Sequence, residues 1–213
     1  MKEFENYYKN HLNMSTSLLD SYKKRPNMSM TSAIVGSDGL PKDVFTHLID
    51  NRIIYLSDNI YPEVTNIIKA QLLYLDEIGN EDISLYIDSG GGEVYTGLCL
   101  IDIMNYVNSD ISTVNMGVSA SMGAMILTSG TIGKRKTLKH ARTMIHQPMG
   151  GAWGQATDLE INVKEINKCK KDLYKILVKQ TGQSYEKIES DADRDYWLIG
   201  KEAKKYGLVD IVI

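Results

Sequence analysis

The chain has 213 residues, of which 43% are hydrophobic and 24% are charged, a composition ordinary for a soluble globular domain. Its formal net charge of -3 and sequence pI of about 5.8 give no overall basic field with which to hold nucleic acid. No apolar run approaches the roughly 20 residues that span a bilayer, and the opening segment lacks the apolar core of a secretory signal. We therefore expect a cytoplasmic protein without a nucleic-acid or membrane partner.

The first 40 residues differ from the rest of the chain. They are rich in Asn, Ser, Tyr, Lys and Met, and their apolar positions keep no sustained period, although a short helix over Met14–Lys23 fits the pattern. The turn-forming stretch "GSDGLP", Gly36 to Pro41, marks a boundary. We therefore predict a partly mobile N-terminal arm over residues 1–40 and one domain over residues 41–213.

Short apolar runs that favour strands alternate with longer segments of helical spacing from residue 52 onward. The predicted strands are Arg52–Leu56, Ile83–Ile87, Ile111–Met116, Thr143–Pro148 and the closing "GLVDIVI". Helices are predicted over residues 61–79, 93–107 and 121–130. Alternating strands and helices imply parallel strands joined by helical crossovers, and hence an α/β fold with a largely parallel core sheet.

A further helix is predicted from Thr157 to Lys179, about twice the usual helix length. Leu159, Val163 and Leu173 belong to an apolar stripe along it, and its other faces are dense in Lys, Glu and Asn. A helix longer than its domain's diameter leaves part of such a stripe uncovered. Two interpretations stay open: a surface helix packed on its own domain, or an arm that packs against another subunit.

Neither the basic cluster nor the cysteines indicate a ligand site. The cluster "GKRKTLKHAR", Gly133 to Arg142, is interpreted as a solvated turn rather than a nucleic-acid patch. Cys99 and Cys169 lie far apart in no metal-ligand spacing, so we expect no metal site. Two buried or half-buried thiols are the favoured interpretation, and a disulfide between them is the alternative.

Three features follow predicted strands and should meet at the carboxyl edge of the sheet, where α/β proteins bind ligands. They are the glycine run "DSGGGE" (Asp88–Glu93), the serine segment "GVSASMG" (Gly117–Gly123) and His146. Backbone N–H groups in such a glycine turn can hold an oxyanion or a phosphate. The run lacks a Walker lysine and the spacing GxGxxG, so nucleotide binding is the weaker alternative.

The serine segment offers two candidate nucleophiles, Ser119 and Ser121, and neither lies in a GxSxG elbow. From spacing alone, a serine here is as readily a helix N-cap as a nucleophile. His146 is the histidine placed at a strand end facing this edge, and it is the candidate base. Three carboxylates could orient it, Asp191, Asp193 and Asp195, and spacing does not choose among them.

Five motifs in order resemble the proteolytic subunits of the Clp protease family, peptidases of the crotonase-like fold. They are "SASMGAMILTSG", then "MIHQPMGG", whose His146 lies 25 positions after Ser121, then "GQATDLEI", "TGQSYEKIESDADRDYW" and "AKKYGLVD". The resemblance covers roughly residues 43–213. It implies repeated β-β-α units, a largely parallel core sheet, and a protruding handle helix at about residues 157–179.

The resemblance also implies roles for individual residues. It places the nucleophile at Ser121, the general base at His146, the acid at Asp195, and the oxyanion donors at the backbone N–H groups of Gly92 and Met122. Residues implied to hold the substrate as an added β-strand are Gly91, Gly92, Glu93, Val94, Gln147, Pro148 and Met149. Asp193 and Arg194 match a charged pair that links rings.

The implied protein is a self-compartmentalised serine endopeptidase that needs no cofactor and degrades unfolded polypeptides to short peptides. Its implied partners are copies of itself in two stacked seven-membered rings and an AAA+ ATPase unfoldase. Residues 1–40 would be a propeptide or axial loops. This chain departs from the family pattern at Gly90, where proline is common, and at Ser119, where many members have alanine. Two alternatives remain: a catalytically silent ring subunit, and an acyl-CoA enzyme of the same fold that stabilises an enolate with paired N–H groups.

Overall fold

The computed structural model describes residues 33–35, 41–151 and 153–213. Residues Leu48–Ile213 form one compact unit, and the described residues before Leu48 belong to a separate one. In that separate unit, β1 (Ala33–Val35) pairs antiparallel with β2 (Pro41–Asp43). The predicted helix over Met14–Lys23 lies outside the described residues.

Helices and strands alternate through most of the chain after β2. The helices are α1 (Val44–Asp50), α2 (Pro62–Ile78), α3 (Val94–Tyr106), α4 (Met122–Thr128), α5 (Ala156–Thr181), α6 (Tyr185–Asp191) and α7 (Gly200–Tyr206). The strands are β3 (Ile53–Leu56), β4 (Ile83–Ser89), β5 (Ile111–Ala120), β6 (Lys136–Thr137), β7 (Arg142–Ile145), β8 (Tyr196–Ile199) and β9 (Ile211–Val212). No helix in the described ranges is both long enough and apolar enough to cross a membrane.

One seven-stranded sheet organises the unit. Its main path runs β3-β4-β5-β6-β9 with every neighbouring pair parallel. The long strand β5 also pairs in parallel with β7, and β8 adds antiparallel to β7. The predicted α/β class and largely parallel sheet are confirmed, and the long predicted helix is present as α5.

Four strands were not predicted from sequence, namely β1, β2, β6 and β8. Two others are shorter than predicted, namely β7, which ends at Ile145 rather than Pro148, and β9. The strand β6 has two residues and lies inside the basic cluster, while β8 follows the acidic run. The closing strand β9 covers only Ile211–Val212 of the predicted "GLVDIVI". Strands this short carry no measurable period, because their existence depends on partners distant in sequence.

The basic cluster is not simply a solvated turn, because Arg135 within it is buried. The Arg135 guanidinium donates to Asp210 Oδ1 at 2.6 Å and to the Gln180 carbonyl at 3.0 Å. Burial raises the pKa of Asp210, but hydrogen bonds from Arg135 outweigh it and hold that pKa below its ordinary value. The expectation for the cysteines was also partly wrong, since Cys99 is exposed, although both thiols are free.

We expect Arg135→Leu to lower the free energy of unfolding by about 3 kcal/mol, the lower end for a buried pair, because it leaves the Asp210 carboxylate, which is 19% exposed, without its partner. The double variant Arg135→Leu/Asp210→Leu should regain much of that loss. The lowered pKa of Asp210 means that the pair stabilises the fold above about pH 4, the ordinary aspartate value, and less as pH falls through the folded-state pKa. Urea unfolding at pH 7 and pH 3 measures both effects.

Lys134 provides a matched control for that experiment. Its Nζ atom contacts Asp82 and Asp110 at 2.7 and 2.8 Å, but all three side chains are substantially exposed. Exposed ion pairs contribute little to stability, so Lys134→Met should cost far less than Arg135→Leu. Equal losses in the two variants would contradict a special role for the buried pair.

Candidate active site

Ser121 occupies the turn between β5 and α4 in a strained backbone conformation. Its φ and ψ are 54° and −122°, a left-handed φ that residues other than glycine rarely adopt. The Ser121 N–H donates to the Met144 carbonyl at 2.9 Å, and the Ser121 carbonyl accepts from the Ala124 N–H at 3.0 Å. These contacts with β7 and α4 hold the turn in place. Strain of this kind concentrates at functional sites, where surrounding contacts maintain it.

Ser121, His146 and Asp195 form a connected chain of polar side chains. His146 Nε2 lies 2.8 Å from Ser121 Oγ, and His146 Nδ1 lies 3.3 Å from Asp195 Oδ1. The His146 side chain is 11% exposed, whereas that of Asp195 is 62% exposed. The arrangement can take a proton from the serine hydroxyl while a carboxylate orients the imidazole.

The antiparallel pair β7–β8 explains why Asp195, rather than another acid of the run, reaches His146. Ile145 is paired with Tyr196 at the end of this ladder. Continuing the register by one residue on each strand places His146 opposite Asp195. Asp191 is used elsewhere, since its Oδ2 accepts from Tyr206 Oη at 2.8 Å and from Lys187 Nζ at 2.7 Å.

Gln147 joins the segment after β7 to the loop that carries Asp195. Its backbone N–H donates to the Ala192 carbonyl at 2.6 Å, and its Nε2 donates to the Asp193 carbonyl at 2.8 Å. The two bonds fix the loop two to three residues before Asp195. Gln147, which the resemblance implies to be part of a substrate-holding segment, thus donates both its backbone N–H and its side-chain amide within the chain.

The glycine run packs directly against the serine turn. A Cβ added at Gly91 would lie 2.7 Å from Ser121 Cβ and 3.0 Å from the Met122 nitrogen, and the φ of Gly91 is +101°. Gly92 forms a parallel bridge with Ile60, in which the Ile60 N–H donates to the Gly91 carbonyl and the Glu93 N–H donates to the Ile60 carbonyl. No side chain could be placed at Gly91 without displacing the serine.

The backbone N–H groups of Gly92 and Met122 belong to these two adjoining segments. Neither donates a hydrogen bond to another residue of the described ranges. The two segments meet where Gly91 packs against Ser121. Unpaired backbone donors near a nucleophile are what an oxyanion intermediate requires.

A small cavity of about 20 Å³ opens beside the nucleophile. Ser121 and His146 line it together with the side chains of Val94, Met122, Pro148 and Tyr174. Of the other residues implied to bind substrate, Met149 is 82% exposed, and the Glu93 carboxylate accepts from the Thr96 hydroxyl at 2.8 Å. Most of the side chains that line the cavity are apolar. The cavity is therefore a largely apolar recess next to the Ser121 end of the chain Ser121–His146–Asp195.

The remaining sequence candidates lie apart from the cavity wall. Arg194 Nη1 lies 3.9 Å from Asp193 Oδ2, and both side chains are exposed. Ser119 is fully buried, and its hydroxyl has no hydrogen-bond partner in the described ranges. No group of three or more His, Cys, Asp or Glu side chains within those ranges could hold a metal ion.

Part of the cavity wall was not anticipated from sequence. Leu173, Tyr174 and Leu177 of α5 line the cavity. The sequence marked Leu173, and either Ile176 or Leu177, as members of the apolar stripe of a long helix, but periodicity does not say which apolar residues face a ligand. Tyr174 carried no signal, because a tyrosine next to an apolar stripe usually only fills the core.

The fold and the site together define a class: an α/β domain with a serine–histidine–carboxylate chain at the carboxyl edge of its parallel strands. Comparisons with known proteins narrow this class. The family described as Clp protease matches residues 37–213. The chain belongs to the Clp protease family, and its general activity is that of a protease.

Full-length relatives have the same general length as this chain. A protein of Bacteroides fragilis strain YCH46 is 44% identical over 217 aligned positions, covering 100% of this chain and 99% of the relative. Proteins of Bacteroides thetaiotaomicron and Porphyromonas gingivalis strain W83 are 43% and 42% identical with nearly the same coverage. Each relative carries the name ATP-dependent Clp protease proteolytic subunit.

Proposed function

We propose that this chain is a serine endopeptidase that works inside a closed chamber and degrades unfolded polypeptides to short peptides. The observation that carries the proposal is the contact chain Ser121 Oγ–His146 Nε2 at 2.8 Å and His146 Nδ1–Asp195 Oδ1 at 3.3 Å. A cytoplasmic location remains our expectation for it.

In the proposed reaction, Ser121 Oγ attacks the carbonyl carbon of the scissile peptide bond while His146 Nε2 removes the hydroxyl proton. The resulting tetrahedral oxyanion accepts hydrogen bonds from the N–H groups of Gly92 and Met122. His146 then donates its proton to the leaving amine, which leaves an acyl-Ser121 ester. Water, deprotonated by His146, hydrolyses that ester and regenerates the free serine.

Asp195 supports these steps without itself changing protonation. Its carboxylate holds the His146 Nδ1–H, which keeps Nε2 unprotonated and facing the serine, and it stabilises the imidazolium that forms. The Gln147 contacts with Ala192 and Asp193 hold the loop of Asp195 near the histidine. The acid is thereby kept in reach despite its exposure.

The substrate is proposed to bind as an added β-strand between the segment Gly91–Val94 and the segment Gln147–Met149. Main-chain hydrogen bonds would supply affinity with little dependence on sequence, and the cavity beside Ser121 would receive one side chain. This mode suits a protease that digests many different unfolded chains.

We base the proposed assembly into two stacked seven-membered rings on a difference in burial between the two halves of α5. Leu173 and Leu177 in its second half are buried, whereas Ile161 and Val163 in its first half are 59% and 53% exposed. An apolar stripe left uncovered by its own domain favours the interpretation that this half packs on another subunit. Asp193 and Arg194, whose side chains are exposed, are the charges proposed to link rings. Folded proteins could not enter such a chamber, so an AAA+ ATPase unfoldase would feed it, with residues 1–40 as propeptide or axial loops.

A fluorophosphonate probe tests the proposed chemistry, because it phosphonylates serines that a neighbouring base activates. We expect one label per chain, located at Ser121 by peptide mass spectrometry, and native mass spectrometry should show fourteen-subunit particles. Absence of labelling on the assembled particle would favour a catalytically silent ring subunit instead.

A further inference from the structure

Tyr174 is a buried tyrosine in the wall of the cavity beside Ser121, and the proposed reaction does not use it. The side chain is 1% exposed, and its hydroxyl has no hydrogen-bond partner in the described ranges. Buried hydroxyl groups are nearly always paired, so an unpaired one calls for an explanation. Here the hydroxyl belongs to a residue that lines the recess of about 20 Å³ beside Ser121.

The tyrosine ring is held in place and its hydroxyl stays protonated. The Tyr185 ring packs edge-on against it with centroids 5.8 Å apart, and Lys170 Nζ lies 5.4 Å from the Tyr174 centroid. Burial, assisted by the nearby Glu189 carboxylate, raises the pKa of Tyr174 to about 12. The hydroxyl is therefore a fixed hydrogen-bond donor at neutral pH.

The chemistry of the recess restricts which side chain could use this donor. Beyond Ser121 and His146, the rest of its lining is apolar and includes Met125, Ile145 and Leu173. A charged side chain or a side chain with its own N–H or O–H groups would lose hydration there without full compensation. The recess of about 20 Å³ admits only about one water-sized group, so it further favours an unbranched side chain, of which only the narrow end need enter.

We propose that Tyr174 is a specificity-determining residue, whose hydroxyl donates to an acceptor on the substrate side chain that precedes the scissile bond. Methionine fits best among the common amino acids, because it is unbranched and apolar and its sulfur accepts a hydrogen bond while offering no donor. The inference rests on the proposed peptidase function, since it takes the recess beside Ser121 as the pocket for that side chain.

Three fluorogenic peptides that differ only at this position test the proposal: one with methionine, one with its methylene analogue norleucine, and one with its oxygen analogue O-methylhomoserine. We expect the methionine-to-norleucine ratio of kcat/KM to fall about 5-fold in Tyr174→Phe, because the variant removes only the donor. The O-methylhomoserine-to-norleucine ratio of kcat/KM should fall further, because an ether oxygen is a stronger hydrogen-bond acceptor than a thioether sulfur. Both ratios are measured on the assembled full-length protein.

Tyr185→Phe is the matched control, because it removes the same atom from the neighbouring ring outside the recess. Its ratios should equal those of the unmodified protein. If the ratios in Tyr174→Phe also stay unchanged while Ser121→Ala abolishes hydrolysis of the norleucine peptide, the role of Tyr174 is wrong and the peptidase function stands. If none of the peptides is hydrolysed by the unmodified protein, the proposed function fails, and the role of Tyr174 fails with it.

Discussion

Ser121→Ala is expected to lower kcat for hydrolysis of a short fluorogenic peptide by about 10,000- to 1,000,000-fold. The variant removes the oxygen that lies 2.8 Å from His146 Nε2 and leaves the N–H groups of Gly92 and Met122 in place. Residual activity would come from those donors and from binding alone. Initial rates with a methionine or leucine peptide measure the loss, and native mass spectrometry verifies that the particle is intact.

Ser119→Ala is the matched control for the nucleophile. The Ser119 side chain is fully buried and its hydroxyl lacks a partner in the described ranges, so removing the oxygen relieves an unpaired polar atom. We expect kcat within about 3-fold of the unmodified protein and equal or higher thermal stability. A dead Ser119→Ala together with an active Ser121→Ala would overturn the assignment of the nucleophile.

Asp195→Asn is expected to lower kcat by about 1,000- to 10,000-fold with little change in KM. An amide in place of the carboxylate can donate to His146 Nδ1, which would put the proton on Nε2 and block acceptance of the Ser121 proton. It would also withdraw the negative charge that stabilises the imidazolium. Steady-state kinetics from pH 6 to pH 9 measure both parameters.

Asp191→Asn separates the catalytic acid from its neighbours in the acidic run. Asp191 bonds Tyr206 and Lys187, so the substitution should lower the melting temperature while kcat at permissive temperature stays close to that of the unmodified protein. Equal losses of kcat in Asp191→Asn and Asp195→Asn would contradict the selection of Asp195.

The parallel sheet was predictable from sequence because its central strands are long apolar runs that lie next to strongly periodic helices. Most residues of Ile111–Ala120 are buried, and every second residue of Ile83–Ser89 is buried, so both strands are rich in apolar or β-branched residues. No comparable run of apolar residues identifies the two-residue strand β6 or the edge strand β8 in the sequence. Their formation depends on pairing with strands far away in sequence.

The choice between Ser119 and Ser121 shows why spacing alone could not identify the nucleophile. Residues two apart on a strand face the same side of the sheet, so both serines would be equivalent if β5 continued. The left-handed φ at Ser121 breaks the strand and separates the two side chains, one in the core and one beside His146. That turn is held by Met144 of a different strand, and only the family resemblance distinguished the serines beforehand.

Spacing in the sequence could not identify the acid that contacts His146 for a related reason. Asp191, Asp193 and Asp195 are alternatives in the sequence, and their separation depends on the antiparallel pairing of β7 with β8. Tyr174 could not be found either, since its importance rests on an absent hydrogen bond rather than on a pattern. Both features come from tertiary contacts that periodicity does not record.

The helix α5 carries residues of the substrate recess and residues of the proposed ring contact on one continuous element of 26 residues, about 39 Å long. In the proposed assembly, any shift of its exposed first half against a partner would also move the wall formed by Leu173, Tyr174 and Leu177. If ring association changes the affinity for peptide by some factor, thermodynamic reciprocity requires that bound peptide change the affinity between rings by the same factor. The protein concentration at which the particle dissociates and the peptide concentration that saturates its sites would therefore both depend on this single coupling free energy.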